Sequence, residues 1–485
     1  MSSAVIHYLH LLAAVGAVGM WLLLLFFCVV GTALIRFRHA RRSAAPAMLE
    51  PLPKPPSPRN SPPSSPRVIS IPPSASFSPS SRAADPQGVT ILRPLKGVDY
   101  NMVENLTSSF VQDYPLYELI FAVADPKDPA IEVVRDLIAR FPEVDAKLMI
   151  GCVEVGMNPK INNLHRGYMT AKYDIIWILD SNVYVQPGCM SRSVHELIQP
   201  GIGLVHHLPC GVRPLTYGAR LEQAFLNTAH AKMYVTINKL AVASCLIGKS
   251  NLFRRSDLVS LGGLENFAKF MSEDNVIGEA LWAKGLRHAM TTDLAYQTLG
   301  ELTVVDYFLR RARWIRIRKY ATTVATLFEP LTESIVNGLL AAWGWGVLWG
   351  SGGGGVGDDV ASSSGGFPRT AFLIAHFAIW MASDWIIAST LDRATRETPP
   401  RFFSAWCVRE LVALPLWVYA MAGSTVEWRG KQFWLNRDGT VSSAGLTLAA
   451  RMGAWATKFV KEQRTGFSRV ATTTSGEMID SSQHR

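Results

Sequence analysis

Three aspartates and one basic-aromatic run carry the side chains best suited to chemistry in this chain. Asp125 ends the apolar run "LIFAVAD" and Asp180 ends "DIIWILD". Asp274 lies in Ser272-Glu273-Asp274-Asn275, behind the glycine turn Gly262-Gly263. Arg310-Arg311-Ala312-Arg313-Trp314-Ile315-Arg316 follows. A carboxylate can hold a divalent cation or take a proton from a hydroxyl, and arginines can neutralise an anionic group. Each feature also has an ordinary reading. An aspartate at a strand end is commonly a turn residue, acids that open a helix are stabilised by its dipole, and arginines beside an apolar segment anchor a helix at a membrane surface. Asp180 is followed by Ser181-Asn182, so the second acid of an Asp-x-Asp metal grip is an asparagine.

Regular elements must hold these residues, and the surrounding pattern supplies them. "VTILRPLKG", "YELIFAVAD", "KLMIG" and "DIIWILD" are short runs with apolar character, while "NMVENLTSSFVQ", "DPAIEVVRDLIARFP" and "NPKINNLHRGYMTA" have helical spacing between them. In the second of these, Ile131, Val134, Leu137 or Ile138 and Phe141 share a face and Pro129 stands near the start. Strands alternating with helices predict an α/β fold, with a parallel sheet covered on both faces. Ligands of such sheets sit outside the carboxyl ends of the strands, where Asp125 and Asp180 both fall.

The chain has 485 residues, 48% of them hydrophobic, and a formal charge of +10. Residues 8–35 contain no Asp, Glu, Lys or Arg and are long enough to cross a hydrocarbon core of about 30 Å. The basic run Arg36-Phe37-Arg38-His39-Ala40-Arg41-Arg42 behind this anchor sets that end in the cytosol and residues 1–7 in the lumen. Residues 43–87 are crowded with Pro and Ser and read as a disordered linker. Residues 88–328 carry the α/β pattern. Residues 329–425 hold three more apolar stretches, 334–350, 370–391 and 402–425, the first short and the third containing Arg409-Glu410. With Asp384 these ionisable groups lie in expected spans, where such groups pair across helices. Three crossings would put the basic tail, 426–485, in the lumen, against the positive-inside rule; either the last segment is re-entrant or the rule fails. The positive residues gather beside apolar segments and in the tail, which suits anionic lipid and not nucleic acid. Six cysteines with no Cys-x-x-Cys spacing read as free thiols in a reducing compartment. Asn105-Leu106-Thr107 is a formal glycosylation sequon that a cytosolic domain leaves unmodified.

In their order and spacing the three aspartates and the last run resemble the Asp, Asp, Asp, (Gln/Arg)-x-x-Arg-Trp signature of inverting glycosyltransferases with the GT-A fold. The closer likeness is to the ceramide glucosyltransferase family. "LRPLKGVD" (92–99), "NPKINNL" (158–164), "KYDIIWILDSN" (172–182), "GLVHHLP" (203–209), "SCLIGKSNL" (244–252), "SEDNVIGEAL" and "RRARWIRIRKY" carry it, with Trp406 to Glu410 and "EWRGKQF" in the membrane region. It fails over the Pro/Ser linker, the glycine-rich loop 351–366 and the tail.

The resemblance implies an α/β GT-A (Rossmann-like) domain with one N-terminal and about three C-terminal transmembrane helices. It implies transfer of glucose from UDP-glucose to the primary hydroxyl of ceramide, giving a β-linked product. A departing diphosphate needs a divalent ion, Mg²⁺ or Mn²⁺, and basic residues to neutralise it. Asp180 suits the metal, with Asn182 as a weak or water-mediated contact. Asp125 matches the aspartate that addresses the uridine, and Lys160 supports the nucleotide or its phosphates. Asp274 is the general base, with Glu273 as the fallback. Arg313 serves the diphosphate, Trp314 closes the acceptor pocket, and Arg310 stands where many relatives carry Gln in the nucleotide-sugar site. His206 matches the histidine of "GLVH", in contact with nucleotide or acceptor. Residues 303–320 suit a helix at the headgroup level, and 224–244, apolar but bearing Lys232 and Lys239, suit a segment buried in the domain or lining the acceptor entrance. The location implied is the Golgi membrane, or the endoplasmic reticulum, with the catalytic domain facing the cytosol. Other readings are a polysaccharide synthase or polyprenyl-phosphate sugar transferase on the same fold, or a catalytically dead membrane scaffold.

Overall fold

The computed structural model describes residues 3–39, 87–349, 369–392, 398–428 and 431–443. The Pro/Ser linker, the glycine-rich loop and most of the basic tail lie outside the described residues.

The chain opens with α1 (Ser3–His39) and enters an α/β domain at β1 (Val89–Leu95). There follow α2 (Met102–Phe110), β2 (Tyr117–Val123), α3 (Ala130–Arg140), β3 (Ala146–Ile150), α4 (Pro159–Thr170), β4 (Ile175–Leu179) and β5 (Val183–Tyr184). Next come α5 (Cys189–Leu197), β6 (Ile202–Pro214), α6 (Tyr217–Phe225), a π-helical turn (Leu226–His230) and α7 (Ala231–Leu240). The domain continues through β7 (Ser250–Arg254), α8 (Arg255–Val259), α9 (Glu273–Ala283), β8 (Arg287–Gly300) and α10 (Val304–Ala321). After it come α11 (Thr323–Thr332), α12 (Ser334–Trp349), α13 (Arg369–Leu391), α14 (Pro399–Ala422) and three short strands, β9 (Thr425–Trp428), β10 (Lys431–Leu435) and β11 (Val441–Ser443).

The main sheet has the order β3-β2-β1-β4-β7-β6-β8-β5. Its first four strands are parallel, as expected. β7 runs antiparallel to β4 and β6, so the all-parallel expectation fails beyond β4. β7 arrives from the loop after α7 and not from a helical crossover, and an antiparallel neighbour needs none. The long strands β6 and β8 pair in parallel with register shifts, and β5 closes the far edge against β8. β5 follows β4 after Asp180-Ser181-Asn182 alone. The sheet therefore curls until its last strand meets the chain leaving its middle, and Asp180 stands at that junction. Asn105 of the sequon is fully buried, its amide donating to Thr298 Oγ1 at 3.0 Å, which closes it to glycosylation in the folded domain.

α1 packs lengthwise on α12 and α13. Trp21 Nε1 donates to His376 Nδ1 at 3.0 Å, Thr32 Oγ1 meets Ser383 Oγ at 2.6 Å, and Ile35 packs with Ile387 and Leu391, so α13 runs in the same direction as α1. α12 runs the other way, with Gly338 on His376 and Gly344 on Ala14 and Val18. α12 has 16 residues, about 24 Å at the helical rise, too short to cross alone. It continues α11 through the extended Glu333.

α14 is long and apolar enough to cross, but both its ends are tied to the α/β domain. Before its start, Gln223 Nε2 donates to Asp392 Oδ2 at 2.7 Å, and the Tyr217 hydroxyl donates to Ser404 O at 3.1 Å. At its end, Lys319 Nζ donates to Met421 O at 2.7 Å and Arg316 Nη1 to Thr425 O at 3.0 Å. Between, it lies along α10, with Ala405 by Tyr307 and Ala420 by Ile315. Of the three apolar stretches expected to span, the last is thus held along α10 and fastened to the α/β domain near both of its ends.

Candidate active site

One cavity of about 1820 Å³ runs from the carboxyl ends of β2 and β4 to the helices α1, α7, α11 and α13. Asp125, Lys160, Asp180, Asn182, Glu273, Asp274, Arg310, Arg313 and Trp314 all border it. Eight of the nine site residues named from the sequence are thus brought together, along with the fallback Glu273.

Asp180 sits directly after β4, in a turn closed by the Val183 N–H donating to its carbonyl at 3.2 Å. The strand-end turn is therefore present, and the side chain leaving it borders the cavity. Lys160, in the first turn of α4 behind the Asn158 cap, places Nζ 3.1 Å from Asp180 Oδ1 and 3.0 Å from Glu273 Oε1. Lys249, ahead of β7, places Nζ 3.0 Å from Asp180 Oδ2 and 3.3 Å from Asn182 Oδ1. Burial opposes ionisation of Asp180, but the two lysines overcome it and hold the carboxyl at about 2. Burial pushes Lys249 below the usual lysine range with Asp180 opposing, whereas Asp180 and Glu273 outweigh burial at Lys160 and raise it.

Glu273 and Asp274 open α9. Asn158 Nδ2 donates to Glu273 Oε2 at 2.8 Å, so Glu273 is bound on both oxygens by Asn158 and Lys160. Burial first, then the adjacent Glu273 carboxylate, push Asp274 up to about 7. Of the two acids Glu273 is engaged and Asp274 is poised to accept a proton near neutrality. Gly248 makes room for it: a Cβ there would stand 2.8 Å from Asp274 Oδ2.

Arg310, on α10, is held by the buried Glu222, Nε to Oε1 2.9 Å, and lies over the Trp314 ring at 5.2 Å. Arg313 Nη1 donates to Glu427 O of β9 at 3.5 Å. Trp314 meets Phe225 edge-on, ring centroids 6.4 Å apart. Asp125 is exposed, one oxygen accepting from its own Lys127 N–H at 2.9 Å. His206 stands apart from this group. It is buried in β6, its Nδ1 is 2.6 Å from the Tyr234 hydroxyl, and Tyr234 rather than His206 borders the cavity. Burial, then His288 and His207, drive it well below the usual histidine range.

The sequence reading missed Lys249, His230 and the β9–β11 hairpin. His230 ends the π-helical turn, lines the cavity and stacks on Tyr234 at 5.2 Å; burial, then Arg311 and Arg318, push it down to about 3, so it is neutral. A π-helical turn often marks a functional position, but no spacing in "FLNTAHAK" announces one. The hairpin brings Trp428, Lys431 and Phe433 to the cavity and docks on the segment before α9, with Val441 N–H donating to Lys269 O at 2.9 Å.

Toward the membrane a second charged cluster forms across four elements. Lys232 Nζ of α7 lies 2.8 Å from Asp384 Oδ1, and Trp406 Nε1 donates to Asp384 Oδ2 at 2.7 Å. Arg409 reaches Asp384 at 3.5 Å, Glu333 at 3.8 Å and its neighbour Glu410, which accepts from Ser334 N–H at 2.9 Å. The pairing of Asp384, Arg409 and Glu410 expected of buried ions is present, and Lys232 and Glu333 carry it to the cavity wall.

At the expected metal position the structure has a different arrangement. Ammonium groups take both oxygens of Asp180 and one takes the Asn182 amide oxygen. At a nucleotide site magnesium is held by one or two carboxylates together with phosphate oxygens and water; Asp180 is the one carboxylate of Asp180-Ser181-Asn182, and each of its oxygens already faces an ammonium. The donor set at Asp180 does not fit the divalent ion that the resemblance implied.

The sequence profile described as "Glycosyl transferase family 21" matches residues 70–441. The ceramide glucosyltransferase of Komagataella phaffii is 36% identical over 437 residues, covering 73% of this chain and 83% of that protein. Ceramide glucosyltransferase 1 of Caenorhabditis elegans is 30% identical over 359 residues, covering 74% and 73%. Among solved structures, the mannosyltransferase PcManGT from Pyrobaculum calidifontis in complex with GDP-Man and Mn²⁺ is similar at a TM-score of 0.41 and 15% identity, covering 79% of this chain and 100% of that one.

Proposed function

The chain belongs to glycosyl transferase family 21, and on that premise we propose that it transfers glucose from UDP-glucose to the primary hydroxyl of ceramide, inverting the anomeric carbon to give β-glucosylceramide. One observation carries the reading. The cavity that holds the three aspartates and the Arg-Trp run is continuous with a wall built from Leu24, Phe27 and Trp380 of the membrane helices. Lifting a lipid chain out of the bilayer costs about 0.8 kcal/mol per CH₂, so a site for a lipid alcohol must meet the membrane, and this one does.

The residues divide the displacement between them. Asp274 takes the proton of the acceptor hydroxyl as that oxygen forms its bond to the anomeric carbon. On the opposite face the bond from that carbon to the UDP oxygen breaks, and the electron pair leaves with the diphosphate. Lys160, Arg310 and Arg313 supply charge that strengthens as the leaving group departs. Asp125 addresses the uridine through its second oxygen. Trp314, Phe225 and neutral His230 bound the acceptor headgroup, and His206 holds Tyr234 in that wall. No step is drawn through a divalent ion. We extend the reading to a Golgi or endoplasmic reticulum membrane with the catalytic domain in the cytosol, supported by the basic end of α1 at the domain, where Arg38 donates to Thr291 O at 3.1 Å. Membranes holding the protein, given UDP-glucose with and without ceramide, test it. A ceramide monohexoside formed only with both substrates is expected, and its absence overturns the proposal.

A further inference from the structure

Resting on that reading, we propose that Lys249 is the site's built-in cation: its ammonium stands where an Asp-x-Asp site holds a divalent ion, and it binds the donor diphosphate in the ion's place.

Lys249 Nζ lies 3.0 Å from Asp180 Oδ2 and 3.3 Å from Asn182 Oδ1, so it bridges the first and third positions of Asp180-Ser181-Asn182. Those are the two positions whose oxygens converge on an ion when both are acids. Here the second is an amide, which contributes no charge, and the lysine contributes the charge that a metal would bring. The residue is well placed to keep this position. It is 8% exposed, its own carbonyl accepts from the Asp180 N–H at 3.1 Å, and its side chain borders the cavity. Lys160 covers the opposite oxygen of Asp180. A diphosphate entering between them meets two ammonium groups already aligned by one carboxylate, and gains charge-assisted bonds without recruiting an ion.

The test is binding of UDP to the purified full-length protein in detergent, by titration calorimetry, with a chelator or with Mn²⁺. The acceptor and the transfer reaction play no part, so a failure here is distinct from failure to form the glycolipid. The unaltered protein is expected to bind UDP with a dissociation constant that changes less than about threefold on chelation. Lys249→Met in chelator is expected to weaken binding by about 10- to 100-fold, the worth of a hydrogen bond to a charged group. Mn²⁺ is expected to recover much of that loss in the Lys249→Met, Asn182→Asp double variant, where a pair of acids is exposed again. Lys249→Arg keeps the charge and is expected to keep chelator-resistant binding, which shows that any loss in Lys249→Met is not misfolding. Loss of UDP binding by the unaltered protein in chelator, or chelator-resistant binding by Lys249→Met equal to that of the unaltered protein, overturns the proposal.

Discussion

Among the described residues, two buried clusters of alternating charge invite comparison. At the catalytic end Lys160, Lys249, Asp180 and Glu273 interleave along the cavity wall. At the membrane end Lys232, Arg409, Asp384 and Glu410 interleave where α7, α13 and α14 meet. The distances are alike. The difference lies in what else competes. Asp384 is fully buried and capped by the Trp406 indole, so nothing can enter between its partners. All four groups of the catalytic cluster border open space, where an incoming anion can take over the lysines. One arrangement of ions is a fastening, the other a site held ready.

Substitutions should separate the two. The largest effect is expected from Asp274→Asn, with product formation down about 100- to 10,000-fold and UDP affinity unchanged. The pH behaviour has a definite sign. The base must be ionised, so the rate of the unaltered protein rises with pH through about 7. An unfolded aspartate loses its proton near about 4. The folded state thus binds the extra proton between those values, and stability falls as pH rises across them. Asn removes that fall, so the variant's melting temperature should exceed the parent's above about 7 and lose this advantage toward about 4. Next is Asp384→Ala, which strands Lys232 and Arg409 and should cost about 3–5 kcal/mol of stability in detergent. Protein that remains folded should bind UDP normally. A fall in turnover with no loss of stability would break the comparison and make the membrane cluster part of the chemistry. Gly248→Ala should lower turnover about tenfold by displacing the Asp274 carboxylate, with UDP affinity retained. Smallest is Asp125→Ala, expected to weaken UDP binding by less than about tenfold, since an exposed group loses part of its interaction to water.

What the sequence revealed follows from how local each signal is. The strands β1 to β4 and their helices are each marked by a short apolar run, and Asp125 and Asp180 fall at or beside the strand ends that those runs define, while Asp274 opens α9. The curl of the sheet is not marked, because β6, β8 and β5 are joined by pairing between residues far apart, such as Asn182 with Thr298. His206 was read from a motif, and a motif cannot say that Tyr234 stands between it and the cavity. Lys249 sat inside a quoted stretch, but its contact with Asp180 is made by β4 and β7 lying side by side. The last apolar stretch has the length and composition of a span. Only its contacts with Arg316 and Lys319 reveal that its end is held by α10.

The hairpin after α14 has a consequence for how the protein comes into being. Translation delivers Asp125, Asp180 and Asp274 long before residues 425–443, yet Arg313 leans on Glu427, and Met271 shares an apolar cluster with Val426 and Phe433. The α/β domain can collapse as a unit while the ribosome is still at work, but the face of the cavity stays unfinished until α12, α13 and α14 have been made and placed. Competence to glycosylate therefore reports completed insertion, and a chain stalled or misthreaded in the bilayer should carry its donor-binding residues without being a working catalyst.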